Sequence, residues 1–215
     1  MFMRRFFILF LLLPIALYAS NDGAEKLLDR AVTKLKADSG VQMEFEYSVY
    51  DADASLLFQE KGTLLIDSDR AVKGKECFAL LLNELKIWCN GTVQWNYTGS
   101  TNEIYITDAD SEEAQNLSPL YIMQLYKKGY RGLLKKETAV TVVTLVSSDK
   151  NSEFDKVEVT IDNASLRPLK MLLSMKGNGS TEIVMKNYKT GCNFTAEQFV
   201  CPANEFPDVE VIDMR

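Results

Sequence analysis

Apolar and polar residues alternate at every second position along most of this chain, and this period constrains the fold more than any other feature. In the first such run, apolar residues occupy every second position from Val41 to Val49. Successive side chains of a β-strand point to opposite faces of a sheet, so the period is typical of a strand with one buried face. The same period recurs between turn residues as far as Tyr188, which predicts about ten strands.

Two segments have the helical period instead. Apolar residues recur three and four positions apart over residues 24–35, which predicts an amphipathic helix with Asn21 or Asp22 as its N-cap. A second, shorter helix is predicted from Pro119 to Tyr126. An antiparallel sheet of this size curls or closes. We therefore expect a mainly β protein of the α+β class, in which a curved antiparallel sheet forms an incomplete β-barrel covered by a helical lid.

Residues 1–19 have the pattern of a secretory signal peptide. Two arginines precede an apolar run from Phe6 to Leu17, and the small residues Ala19 and Ser20 follow it. The run is shorter than the roughly 20 residues that a membrane span needs. No cysteine stands at the expected cleavage point to accept a lipid. We expect an exported protein in which residues 20–215 form a single domain.

Composition narrows the classes of function. The chain has no histidine, the usual base for serine and cysteine nucleophiles and the commonest metal ligand. It has no glycine-rich phosphate-binding motif. The net charge of −6 is spread along the chain without a basic stripe, so nucleic acid is not an expected partner. We expect a protein that is not an enzyme and that binds no cofactor or metal. The remaining catalytic alternative is an enzyme that uses paired carboxylates.

All four cysteines lie in the exported part of the chain. A tight turn midway between Cys77 and Cys89 would place these two residues opposite each other in a hairpin. A turn midway between Cys192 and Cys201 would do the same for the second pair. Local disulfides are therefore expected in an oxidising compartment. The alternative is four buried free thiols.

Both tryptophans lie in the stretch IWCNGTVQWNY (87–97), on either side of Asn90-Gly91. Asn-Gly between two apolar runs predicts a hairpin with a two-residue loop, because both residues tolerate positive φ. Alternation then places Trp95 and Tyr97 on one apolar face of the second strand. Such a face either fills a closed core or lines a cavity for a guest.

Four segments follow one another in an informative order: KGTLLI (61–66), CNGTVQWNY (89–97), the segment 102–131 and the closing segment 199–215. This order resembles that of the periplasmic outer-membrane lipoprotein carrier family, LolA. The resemblance implies an incomplete barrel with a helical lid over a hydrophobic cavity that holds the acyl chains of lipoproteins.

The resemblance also implies a monomeric periplasmic carrier and its partners. Acylated lipoproteins would come from an ATP-driven release complex in the inner membrane and pass to an acceptor at the outer membrane. A carrier or sensor of another amphiphile, such as a glycolipid, on the same fold is the alternative.

The resemblance assigns the inward-facing apolar side chains to the cavity. The expected lining residues are Met43, Phe45, Tyr47, Leu64, Ile66, Trp95, Tyr97, Ile122, Met123, Leu169, Met171, Leu173 and Met175. In the family, an Arg-Pro pair often follows the glycine-started strand, and its arginine is thought to latch the lid by bonding to the helices. Here that position reads Asp67-Ser68-Asp69-Arg70, so Arg70 is the candidate latch.

Overall fold

One large sheet dominates the computed structural model, which describes residues 21–112, 114, 120–175, 177 and 179–215. The predicted signal peptide and Pro119 lie outside the described residues. Helix α1 (Asn21–Ala37) comes first, and a 3₁₀ helix, Ile122–Lys128, interrupts the strands. We refer to the latter as the 122–128 helix.

The sheet has twelve strands. Their bounds are β1 Val41–Tyr50, β2 Leu56–Val72, β3 Lys75–Leu81, β4 Leu85–Asn90, β5 Val93–Thr98, β6 Glu103–Asp108, β7 Arg131–Lys136, β8 Val140–Val146, β9 Lys156–Asp162, β10 Pro168–Met175, β11 Gly179–Lys189 and β12 Glu210–Asp213. Their order across the sheet is β12-β6-β5-β4-β3-β2-β1-β11-β10-β9-β8-β7.

Two antiparallel meanders, β1 to β6 and β7 to β11, meet where β1 pairs with β11. Only β12 pairs in parallel, with β6. The two edge strands do not pair with each other within the described residues, so the sheet stays open. The prediction of a mainly β protein with an open, curved antiparallel sheet is confirmed.

Two strands were not predicted from the sequence. The strand β7 has the sequence RGLLKK, in which the buried position is Gly132, so no apolar alternation marks it. The strand β12 has only four residues and pairs with β6, far away along the chain. Neither strand carries the local pattern from which strands are recognised.

The two helices pack on one side of the sheet, and we call that face the inner face. The side chains of Ala24, Leu28 and Ala31 on α1 are buried there, and α1 packs against β7 and the 122–128 helix. The Tyr126 hydroxyl donates a hydrogen bond to Asp29 of α1. Burial and that bond to a carboxylate raise the pKa of Tyr126.

The sheet buries apolar side chains on both faces. The inner core joins α1 and the 122–128 helix to the inner face. The outer core lies on the opposite face of β2 to β6, where the C-terminal segment (residues 190–209) packs onto it. Neighbours in β3 alternate between the two, since Phe78 belongs to the inner core and Ala79 to the outer core.

Aromatic rings close the outer core. Phe199 is completely buried, and the Phe206 ring lies 4.2 Å from that of Tyr97 and 6.0 Å from that of Trp88. The C-terminal segment crosses the chain at Gly40, where φ is +50° and a β-carbon would lie 1.8 Å from the Cys192 carbonyl oxygen. Only glycine fits there.

The two predicted disulfides are wrong, because all four cysteines are free. Cys77 pairs with Asn90, and Cys89 pairs with Phe78, so the two thiols point to opposite faces of the sheet. The observed register differs by one residue from the expected one, and such a shift places two side chains that would share a face on opposite faces of the sheet.

The second pair also lacks its predicted hairpin. Residues Ala196–Phe199, between Cys192 and Cys201, form a 3₁₀ turn. Cys77, Cys89 and Cys201 are buried. Burial raises the pKa of the Cys77 and Cys201 thiols to about 11. The alternative of free thiols, most of them buried, describes this structure.

Candidate functional site

A cavity of about 330 Å³ lies in the inner face where the two meanders meet. We call it the apolar cavity. Strands β1 to β4, β10, β11 and the 122–128 helix supply its walls. Its lining residues are Met43, Phe45, Tyr47, Glu60, Leu64, Leu80, Leu82, Leu85, Ile87, Ile122, Met171, Ile183 and Met185.

The register of β1 positions one wall. Met43, Phe45 and Tyr47 occupy alternate positions and share the inner face. Phe45 lies opposite Gly62 of β2. A β-carbon at position 62 would come within 2.3 Å of the Phe45 ring, so the glycine provides the space that the ring fills. On the other side of β1, Met185 of β11 lies opposite Phe45.

The chemistry of the lining suits an apolar guest. Glu60 is the only charged lining residue. Its carboxylate accepts a hydrogen bond from the Asn83 backbone N–H at 3.1 Å, in an exposed position. Three methionines contribute flexible, polarisable side chains that adapt to guests of variable shape. With a single carboxylate among its described lining residues, the surface is predominantly apolar.

The structure places several predicted site residues at this cavity. Those that line it are Met43, Phe45, Tyr47, Leu64, Ile122 and Met171. Four more belong to the inner core or pack against it without lining the cavity: Ile66, Met123, Leu173 and Met175. The structure thus places these ten side chains at the inner face or on the helix packed against it, and their role in binding stays a prediction.

Trp95 and Tyr97 were placed on the wrong face. Trp95 lies opposite Trp88 in the β4–β5 hairpin, and both pack against the outer core. The inner-facing residue between Trp95 and Val93 is Gln94, which is buried. The apolar side of β5 faces outward because the C-terminal segment covers it.

The hairpin loop also differs from the expected one. It is formed by Gly91 and Thr92, since Cys89 pairs with Gln94. The Asn90 side chain accepts hydrogen bonds from the backbone N–H groups of Thr92 and Val93. Asn90 therefore lies just before the loop and stabilises it through these hydrogen bonds.

Leu169 is a further correction, because it is 39% exposed. The pairing of β10 with β9 shifts between Pro168 and Lys170. This irregularity interrupts the alternation just before Met171, so Leu169 does not share its inward direction.

Sequence reasoning missed the lining residues on β3 and β4. They are Leu80, Leu82, Leu85 and Ile87. The stretch FALLL in β3 is apolar at every position, because both of its faces are buried. Alternation gives no signal in such a strand.

Arg70 does not contact α1 or the 122–128 helix in the hydrogen bonds of the described residues. Its guanidinium donates to the Asp67 carboxylate at 3.0 Å and to the Phe194 carbonyl oxygen at 2.9 Å. It therefore ties β2 to the C-terminal segment. The predicted latch between Arg70 and the helices is wrong for these elements.

The geometry defines a class of protein: an open antiparallel sheet with an apolar cavity on the face where the helices pack. In the part of the chain that the structure describes, every helix is too short or too polar to cross a bilayer. The profile of the outer membrane lipoprotein carrier protein LolA family matches residues 19–178. The chain belongs to this family.

Solved structures with similar folds are distant in sequence. An uncharacterized conserved protein from Thermus thermophilus is 14% identical, with 89% of this chain and 99% of that chain covered at a TM-score of 0.51. A putative outer membrane lipoprotein-sorting protein domain from Vibrio parahaemolyticus is 14% identical, with 86% and 99% covered and a TM-score of 0.47.

Lipoprotein LppX from Mycobacterium tuberculosis is 13% identical, with 82% of this chain and 100% of that chain covered and a TM-score of 0.41. The likeness to the Thermus protein supports the fold alone. A search of curated proteins finds no match.

Proposed function

We propose that this protein is a non-enzymatic carrier that shields the acyl chains of lipoproteins in the apolar cavity. The observation that carries the proposal is a cavity with one charged lining residue in a chain of the LolA family. Its site residues are the lining side chains of β1 to β4, β10, β11 and Ile122.

The physical need for such a carrier follows from the acyl chains. Each buried CH₂ group contributes about 0.8 kcal/mol, so a multiply acylated protein does not cross water unaided at a useful rate. The chain has no phosphate-binding motif, so energy for loading belongs to a partner. We propose an ATP-driven release complex in the inner membrane as donor and an outer-membrane protein as acceptor.

If the cargo carries several acyl chains, the apolar cavity must enlarge when the cargo binds. About 330 Å³ is at the small end of ligand pockets, and several acyl chains need more room. In this proposal α1 and the 122–128 helix move away from the sheet when cargo enters. The hydrogen bond between Tyr126 and Asp29 keeps these two elements together.

The proposal includes a location and a state of assembly. Residues 1–19 act as a signal peptide, and the mature protein works in the periplasm as a monomer. The mature N-terminus then lies at the start of α1, beside the inner core.

A carrier of another amphiphile is the second candidate. The small cavity favours it, because a single apolar tail needs less space than several acyl chains. Mass spectrometry of lipids that co-purify with the protein from its native periplasm distinguishes the two. Diacylated or triacylated peptides support the lipoprotein carrier, and a glycolipid or a free lipid supports the alternative.

A matched pair of substitutions in β3 tests whether the apolar cavity binds acyl chains. Leu80 lines the cavity, whereas its neighbour Leu81 packs against the outer core, and both are half-buried. Leu80→Glu places a charge where the acyl chain would lie, which is strongly unfavourable. Leu81→Glu introduces the same charge on the opposite face.

The measurement is calorimetric titration with a synthetic lipopeptide whose N-terminal cysteine carries two octanoyl chains. We expect Leu80→Glu to weaken binding at least about tenfold, which corresponds to roughly 1.4 kcal/mol. We expect Leu81→Glu to bind as the unmodified protein does. Equal binding by both variants, or equal binding of the deacylated peptide, would contradict the proposal.

A further inference from the structure

A second cavity of about 330 Å³ lies on the inner face beside the apolar cavity. Apolar side chains form part of its wall, among them Phe78 and Leu120, and seven other lining residues are charged or carry a side-chain amide. Four of them are lysines, at positions 36, 75, 127 and 128, and one is Glu76. We call it the basic cavity.

The two cavities lie end to end along the same strands. In β3, Phe78 lines the basic cavity and Leu80 lines the apolar cavity. In β4, Cys89 lines the basic cavity and Ile87 lines the apolar cavity. Alternate residues of a strand are about 7 Å apart, so one molecule can occupy both cavities.

The helical side of the two cavities is also continuous. Tyr121 lines the basic cavity, and the next residue, Ile122, lines the apolar cavity. Gln124, two residues further on, lines the basic cavity again. The same segment therefore covers the boundary between them.

The lysines of the basic cavity are only partly neutralised. Lys36 forms an ion pair with Glu76. Lys127 lies 3.9 Å from the Asp29 carboxylate and is 55% exposed, so this pair is weak. For Lys75 and Lys128, the described residues provide no ion pair within the distance of a salt bridge.

Apart from Glu76, the carboxylates that the structure describes near the basic cavity do not line it. Asp108 ends β6, Asp110 and Glu112 follow it, and all three are exposed. Ala109 and Ala114, from the same part of the chain, supply the lining instead. The surface that a bound group would contact is therefore predominantly positive.

Polar groups are also buried in the wall. Gln94, which lines the basic cavity, is only 1% exposed and donates a hydrogen bond to the Asn96 side chain at 3.0 Å. Thr107 lies opposite Gln94 in the β5–β6 pair, on the same face. Its buried hydroxyl has no hydrogen-bond partner among the described residues. A buried hydroxyl without a partner is rare in native proteins and needs an explanation.

We propose that the basic cavity binds an anionic group of the cargo while the attached acyl chain lies in the apolar cavity. Lys75 and Lys128 attract the negative charge, and Gln94 lies at the buried end of the site. This inference rests on the proposed function and refines it, because it selects among acylated molecules by the charge next to the acyl chain. The anionic group is a carboxylate of an acylated peptide or the phosphate of a lipid.

Two pairs of probes that differ only in charge test the proposal. The first pair is a dioctanoylated cysteine peptide that continues with Asp-Asp or with Asn-Asn. The second pair is dihexanoyl phosphatidylglycerol and dihexanoyl phosphatidylcholine, each below its micelle concentration. Inorganic phosphate is the probe without an acyl chain.

The variant is Lys75→Gln combined with Lys128→Gln. Its matched control is Lys135→Gln combined with Lys136→Gln, two exposed lysines of the edge strand β7 that line neither cavity. Both variants change the net charge equally. All four lysines are at least partly exposed, so none of these substitutions removes a buried contact.

We expect the anionic member of one pair to bind at least about fivefold more tightly than its neutral partner in low salt. The Lys75 and Lys128 variant should remove this preference, and the control should retain it. The pair that shows the preference identifies the source of the anionic group. Added salt should reduce the preference, as expected for partly exposed charges.

Four outcomes would overturn the proposal, and they differ in what else they overturn. Equal binding within both pairs, or a preference that survives in the lysine variant, overturns the basic cavity as a site but leaves acyl binding intact. Inorganic phosphate that binds as tightly as the anionic lipid shows an ion site unrelated to cargo. Failure of every acylated probe to bind overturns the proposed function itself.

Discussion

The inner and outer cores use the same strands but differ in what they hold. On the inner face of β3 and β4, Leu80 and Ile87 border a cavity of about 330 Å³. On the outer face, Ala79 and Trp88 lie in a core closed by aromatic side chains of the C-terminal segment. One face keeps space for a guest, whereas on the other the chain itself supplies the covering residues.

This difference shows that an apolar strand face does not reveal its own role. Trp95 and Tyr97 form as apolar a face as Met43 and Phe45. The first pair meets Phe206 and its neighbours, while the second meets the cavity. What covers each face decides between packing and binding.

The largest expected effect separates the two cores by stability. Phe199→Ala removes a completely buried ring from the outer core, and we expect unfolding in urea to become easier by about 3 to 5 kcal/mol. Phe45→Ala should cause a smaller loss, because part of that ring already faces the apolar cavity. Equal losses at both positions would contradict the distinction between a closed core and one with a cavity.

The next effect concerns the attachment of the C-terminal segment. Arg70→Met removes the hydrogen bonds to Asp67 and Phe194 and leaves the buried Asp67 carboxylate without its cationic partner. We expect a loss of about 1 to 2 kcal/mol and faster amide hydrogen exchange in residues 190–209.

Exchange in α1 and the 122–128 helix is the control for Arg70→Met. It should stay unchanged, because Arg70 has no hydrogen bond to either in the described residues. Faster exchange confined to these helices would instead restore the lid latch that the sequence predicted.

One alkaline pH effect should originate in the outer core. Burial raises the pKa of Cys77 and Cys201 from 9.0 to about 11. Between these values the unfolded chain releases thiol protons that the folded chain retains, so stability is complete below pH 9 and falls as the pH rises. We expect a loss of about 1 kcal/mol for each thiol by pH 10.

The double variant Cys77→Ala with Cys201→Ala isolates this alkaline effect, since its urea unfolding should depend less steeply on pH between 9 and 11. Thiol titration in denaturant supplies an independent check, and the four free cysteines of the structure should all react. Fewer reactive thiols would mean that a disulfide forms and that the register near it differs.

The smallest expected effect is the shift in tryptophan emission when a lipopeptide binds, which should be close to zero. Trp88 and Trp95 both pack against the outer core, away from the apolar cavity. Tryptophan emission should therefore shift little when a lipopeptide binds. A large blue shift that the deacylated peptide does not cause would place a tryptophan near the guest and contradict the assignment of the two faces.

Much of the fold could be predicted from local patterns. The alternation in β1, β5 and β9 to β11 identified strands, and the helical period over residues 24–35 identified α1. Family resemblance supplied the incomplete barrel. Where a single strand face was apolar, the structure places the predicted side chains at the apolar cavity, as for Met43, Phe45 and Met171, and their role in binding stays a prediction.

The wrong predictions arose from strand register and from contacts between segments that are distant along the chain. A shift of one residue in the β3–β4 hairpin separated Cys77 from Cys89, and an irregularity in β10 turned Leu169 outward. The sequence does not indicate which residues of β3 line the inner face, because the stretch FALLL is apolar at the positions that point to either face. None of these features has a signal within a few residues of the position concerned.

The sequence by itself determined most of the segments that form strands, that the chain has the pattern of an exported protein, and that histidine chemistry is absent. These properties depend on composition and on side-chain periods of two or 3.6 residues, which are local. Only the tertiary structure decided which apolar face became a cavity, because that depends on where residues 190–209 pack. Burial is a property of the neighbours that a side chain meets, and strand alternation specifies two faces without specifying what lies against either one.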